Sequence, residues 1–137
     1  RRVLVSGGRA FITVPGPRPP IFAILADALA RHLGPDAASF VDLVFSMHDV
    51  DELTELMRGA GFREIAVQAG PKTLRLPAPA DFLWQYINST PLAGAMAQAG
   101  QARRDALEHD VCGRWQEFVA DGSLLLQVGM TTAKGLK

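Results

Sequence analysis

Few side chains in this sequence have the type and spacing that chemistry requires. Histidine exchanges protons near neutral pH, and the chain carries three: His32, His48 and His109. They are too scattered along the chain to suggest a metal site, and none is expected. His32 falls near the end of a helical stretch, where a cation is favourable. His109 lies between Glu108 and Asp110 on a helix face expected to be solvated. His48 precedes a helix-capping signal and is the candidate general base, with a structural role as the alternative. Cys112 is the single cysteine, which excludes an intrachain disulfide and a cysteine-based zinc site. Placed between Val111 and Trp115 in a helical pattern, it reads as a buried, inert thiol.

Charge narrows the partners. The 137 residues include 14 basic and 14 acidic side chains, a formal net charge of zero. No Lys/Arg run exceeds a pair, so a nucleic-acid partner is not expected, because phosphate binding needs a cationic surplus. No apolar stretch approaches the ~20 residues that span a bilayer, so no membrane partner is expected either. No signal peptide opens the chain, and the cytoplasm is the expected location. Asn88-Ser89-Thr90 matches a glycosylation acceptor by chance on that reading. The first residue is Arg1, not methionine, so residues upstream of it are expected.

The elements that must position these residues can be traced from periodicity and breakers. Val3, Leu4 and Val5 lead into a Ser6-Gly7-Gly8 turn, and Ala10 to Val14 reads as a short buried strand ended by Pro15. A helix is predicted over Pro20–Leu33, with Ile21, Leu25, Ala28, Leu29 and Leu33 on one face and Gly34-Pro35 ending it. Asp36 to His48 reads as irregular. Asp49 is the expected N-cap of a second helix, with Glu52 three residues on. Its buried stripe is Leu53, Leu56, Met57 and Ala60, and Gly61 closes it. A strand follows from Phe62 to Ala69, running on over 72–76 past a bulge at Gly70-Pro71. Helices are predicted from Pro79, across 92–100, and over 101–120 with Leu107, Val111, Trp115 and Phe118 inward. Asp121-Gly122 signals a turn before a final strand, Leu124 to Met130. This order predicts an α/β fold: a small sheet covered by helices, with helical inserts at about 17–48 and 78–120.

Several stretches resemble class I S-adenosylmethionine-dependent methyltransferases. Arg2-Val3-Leu4-Val5-Ser6-Gly7-Gly8-Arg9 is similar to the family's Arg-Val-Leu-x-Pro-Gly-Gly-Arg passage into its fifth strand, with Ser6 where proline is commoner. Asp49 to Leu53 and Ala60-Gly61-Phe62 resemble the last helix and the turn into the sixth strand. The resemblance implies that the terminal strand is the seventh, inserted antiparallel between the fifth and sixth. It implies a partial Rossmann-like fold, a small mixed sheet of strands five, seven and six, over residues 1–137. The inserts resemble the lid of small-molecule methyltransferases of ubiquinone/menaquinone biosynthesis. The family's cofactor loop, G-x-G-x-G after a buried strand, is absent; Gly7-Gly8 and Gly59-x-Gly61 read as turns and caps. S-adenosylmethionine is therefore implied for the complete enzyme, and no cofactor is expected on this chain alone.

By the same resemblance, substrate lies over the end of the first strand beneath the lid. That implicates Pro15, Gly16 and Pro17, with Phe45, Met47 and His48 nearby, and Trp84, Tyr86 and Ile87 from the second insert; core packing is the alternative for the aromatics. Two functions follow. One is the lid and substrate-binding portion of a methyltransferase for a small, apolar acceptor, its Phe, Leu, Met and Trp content lining the pocket. The other is a non-catalytic binding module that forms a homodimer through an exposed sheet edge or face.

Overall fold

A computed structural model of the chain describes residues 4–137. Arg2 and Val3, which open the motif quoted above, lie outside the described residues. The described residues form a small, open antiparallel sheet of four strands with six α-helices. Two compact units are built from discontinuous segments: unit 1 from 1–17, 44–72 and 128–137, and unit 2 from 18–43 and 73–127. The two expected inserts fall mostly within the segments of unit 2. Among the described residues, no helix is long and apolar enough to cross a membrane.

In unit 1, β1 (Arg9–Pro15) pairs antiparallel with the last part of β4 (Ser123–Leu136). The register runs from Arg9 opposite Leu136 to Pro15 opposite Met130. The strand order is β1-β4-β2, where β2 is Arg63–Leu76, so the terminal strand lies between the other two. This is the order expected of these three strands, but the sheet is antiparallel where a mixed one was expected, because the terminal strand between the other two separates them. β4, however, runs six residues beyond the expected end at Met130. Thr131 to Leu136 holds Ala, Lys and Gly, which are depleted in strands; pairing with β1 overrides that local preference. β2 is likewise continuous across Gly70-Pro71, and its backbone irregularity falls instead at Glu64, with φ of 50°.

One face of this sheet packs on α3 (Val50–Gly59). Leu53 and Met57 bury against Ala133, with Val14, Phe62, Ile65 and Val67 around them. Leu56, expected in the same stripe, is 49% exposed, because α3 contacts the sheet along a narrow two-residue seam. The helix starts where expected: Asp49 accepts hydrogen bonds from the amides of Asp51 and Glu52, both at 2.9 Å. It ends at Gly61, whose φ of 77° needs a residue without a side chain.

Unit 2 is helical around a hairpin. α1 (Pro20–Leu33) matches its expected span, opened by Pro20 and closed by Gly34, whose amide returns to the carbonyls of Leu29 and Ala30. The 35–44 stretch, expected to be irregular, is a helix, α2 (Pro35–Val44). Its buried positions, Ala37 and Val41, are one turn apart; the exposed Leu43 and Val44 blur that spacing in the sequence. α4 (Pro79–Asn88), α5 (Leu92–Ala99) and α6 (Gln101–Trp115) pack together and against α1. α6 stops at Trp115, not Ala120: a 3-10 turn at 116–118 leads into β3 (Val119–Ala120), which the sequence reading missed. β3 pairs with Ser123 and Leu124 across Asp121-Gly122. Both turn residues have positive φ, 49° and 74°, as a tight two-residue hairpin requires.

Trp115 anchors the core of this unit. It is fully buried, and its indole N–H donates to the Ile21 carbonyl at 2.9 Å. The Phe82 ring lies 5.7 Å from that of Trp115, and Phe22, Phe82 and Tyr86 contact one another at centroid separations of 5.3 to 6.3 Å in tilted and edge-on arrangements. α1 and α6 are also joined by charge. Asp27 pairs with Arg31 and Arg114, and Asp110 with Arg31 at 2.9 Å and His32 at 3.1 Å. The two guanidinium groups on Asp27 hold its carboxyl below the usual carboxylate range.

Candidate functional site

The residues singled out from the sequence fall into two sets. In unit 1, the chain leaving β1 passes so close to β4 that the Gly16 amide donates to the Gly129 carbonyl at 2.6 Å. A Cβ on Gly16 would stand 3.0 Å from the Gly129 backbone, so a larger residue would have to push β4 aside by a few tenths of an ångström. Two residues along β4, the buried Thr131 hydroxyl donates to the His48 carbonyl at 3.3 Å. His48 is tied in turn to Phe45, its Nδ1 lying 2.8 Å from the Phe45 carbonyl. Gly16, His48 and Phe45 therefore converge on β4 between Gly129 and Thr131. A carbonyl only accepts, so this contact calls for a proton on Nδ1. Phe45 is buried, whereas Met47 is 44% exposed. Pro15 ends the ladder opposite Met130, and Pro17 closes the first segment of the unit.

In unit 2, the other three residues point to separate places. Trp84 donates its indole N–H to Glu108, and the Arg104 guanidinium lies 4.5 Å above its ring. Those contacts tie α4 to α6. Tyr86 belongs to the aromatic cluster, and its hydroxyl is buried with no hydrogen-bond partner among the described residues. Burial pushes its pKa up. Ile87 is fully buried in the helical core.

A cleft in unit 2 was not foreseen. It measures about 410 Å³, within the range of small-molecule sites. Pro19, Pro20 and Ile21 at the start of α1 form one side, residues 117–120 a second, and residues 125–127 of β4 the third. The signal in the sequence was the Asp121-Gly122 turn: a hairpin there folds 117–120 beside 123–127 and creates a wall. A shallower trough along α6 is lined by Asp105, Glu108, His109 and Cys112. Burial, reinforced by the Glu108 carboxylate, raises the Cys112 thiol to about 11, in keeping with an inert cysteine. No group of three or more potential metal ligands occurs among the described residues.

The glycine turns at 7–8 and at 61 leave no amide free for S-adenosylmethionine. Its binding calls for free backbone amides on a glycine loop and for an acidic residue at a strand end. The amides of Gly7, Gly8 and Gly61 are already given to the carbonyls of Lys137, Val5 and Arg58. No family model matches the chain, and no curated protein matches it.

Proposed function

We propose that this chain is the C-terminal, acceptor-binding portion of a class I S-adenosylmethionine-dependent methyltransferase with a Rossmann-like sheet, acting on a small, apolar acceptor. The observation that carries this reading is the sheet order. A terminal strand inserted between two earlier ones, antiparallel to the first, is an uncommon arrangement, and it is the one implied for strands five, seven and six. The cofactor would be held by residues outside this chain. His48 is the proposed general base, through Nε2; the anchored Gly16–Pro17 segment and the 45–48 loop are the proposed flank of the acceptor.

The test is calorimetric titration of S-adenosylhomocysteine into this chain and into the product of its reading frame extended upstream. Binding by the extended protein only, with methyl transfer from labelled cofactor to an apolar acceptor, is expected. An extended protein that neither binds the nucleoside nor transfers methyl defeats the reading.

A second reading, a self-associating module without catalysis, is favoured by one observation. β1 has a single strand neighbour in the described sheet, and its Phe11 is 65% exposed and its Ile12 40% exposed. An apolar edge strand of this kind is a template for pairing with a second copy.

A further inference from the structure

We infer that the 410 Å³ cleft of unit 2 is a binding site for a compact apolar amine, neutral or cationic, and that it rejects anions. The inference needs no cofactor and stands apart from methyl transfer.

The interior of the cleft is apolar. Ile21 and Leu126, only 2% and 7% exposed, line it together with Pro19, Phe118, Val119 and Leu125. Such surface releases little-bound water to an apolar ring or chain, at roughly 25 cal/mol for each Å² covered. The polar residues of its lining are two, Glu117 and Gln127, both exposed to solvent. No lysine, arginine or histidine lines the cleft. A carboxylate beside apolar walls attracts an ammonium or an N–H donor and repels a second anion.

The neighbouring helix start reinforces this sign. A helix N-terminus ordinarily welcomes anions through its free amides. Here Pro19 and Pro20 have no N–H to offer, and the amides of Phe22 and Ala23 are both spent on the Pro19 carbonyl at 3.0 Å. The site therefore keeps the attraction of Glu117 for a donor, while of the amides at the helix start only that of Ile21 is not spent in this way.

The walls are held in advance of any ligand. The positive-φ turn at Asp121-Gly122 fixes β3 against β4, and the Trp115 indole clamps the Ile21 carbonyl. A preformed cavity spares a ligand the cost of ordering it.

Two dyes with the same ring framework separate charge from shape: N-phenyl-1-naphthylamine, a neutral amine, and 8-anilinonaphthalene-1-sulfonate, its anionic counterpart. Each is titrated into the whole chain, reading dye emission and energy transfer from Trp115. Saturable one-to-one binding of the amine is expected, with the sulfonate weaker by roughly tenfold or more, equivalent to about 1.4 kcal/mol. Ala120→Phe, which fills the cleft, should abolish amine binding; Leu125→Phe serves the same end should the first variant fold poorly by circular dichroism. Glu117→Lys should reverse the preference toward the sulfonate. The inference is overturned if the amine does not bind, or if both filling variants bind it as the wild type does. Equal affinity for the two dyes, unmoved by Glu117→Lys, also overturns it. So does a dimer that excludes the amine and dissociates in Ala120→Phe, since a second copy would then be the occupant.

Discussion

Trp115 and Tyr86 sit in the same aromatic cluster, yet their polar atoms are treated in opposite ways. The Trp115 N–H is satisfied by the Ile21 carbonyl, whereas the Tyr86 hydroxyl is buried without a partner among the described residues. Removing a satisfied donor strands the carbonyl it served, so Trp115→Phe is expected to cost about 1–3 kcal/mol beyond the loss of packing. Removing an unsatisfied hydroxyl relieves a desolvation penalty, and Tyr86→Phe should be neutral or stabilise by up to ~1 kcal/mol. Urea denaturation of the two variants against wild type checks both, and a Tyr86→Phe loss beyond ~1 kcal/mol would mean that a hydrogen bond had been overlooked. The Cys112 thiol makes a third case. Held at about 11 instead of 9.0, it carries less thiolate in the folded chain at any pH near neutrality. Alkylation by iodoacetamide at pH 8 should then be about a hundredfold slower folded than unfolded in urea, since thiolate fraction falls tenfold per pH unit. Equal rates would place the thiol in an ordinary, solvated setting.

At the scale of elements, local signals and tertiary contacts divide the work. α3 depends on its cap: Asp49 satisfies two of the amides that a helix start leaves open. Asp49→Ala should cost about 1 kcal/mol, measured as a lowered urea midpoint with unchanged slope. An unchanged midpoint would show that α3 is held by Leu53 and Met57 alone. The hairpin of β3 and β4 depends instead on backbone sign. Two consecutive residues with positive φ set the turn, and the turn sets the wall of the cleft. α2 depends on neither device: Ala37 and Val41 are buried on one side, and nothing in its sequence announces its start as plainly as Asp49 announces α3.

The whole molecule is ordered by its last strand. β4 is paired by β3 at its beginning and by β1 at its end, and its buried positions change parity on the way. Leu124, Leu126 and Val128 are buried in the first stretch, Thr131, Ala133 and Gly135 in the second. The central place of β4 leaves β1 with an unpaired edge in the described sheet, flanked by Phe11 and Ile12. On the opposite face from α3, Phe11 lies beside Ala66, Gln68, Thr132 and Lys134 with no helix over them in unit 1. If that edge recruits a second copy, sedimentation will show association that grows with concentration, and Phe11→Lys will reduce it, because a charge on an edge strand opposes pairing. A wild-type chain that stays monomeric at high concentration removes the support for the association reading.

What could be read from residues alone is what short-range physics governs. The ends of α1 follow from Pro20 and Gly34, the cap of α3 from Asp49, and the turn before β4 from Asp121-Gly122, each acting within a few residues of itself. Cys112 could be judged inert because its neighbours in a helix are knowable from spacing. The order of the three main strands was also anticipated, through resemblance and not through periodicity. Other features were decided only in three dimensions. Thr131 to Leu136 is strand because seven residues of β1 lie opposite the end of β4, a condition invisible in a stretch of Ala, Lys and Gly. Gly16 is closely confined because Gly129, far along the chain, comes within 3.0 Å of where its Cβ would be. The cleft joins residues 19–21, 117–120 and 125–127, and its apolar floor and single carboxylate exist as a site only once those segments meet. Local propensity is a property of neighbours in sequence; a cavity is a property of neighbours in space.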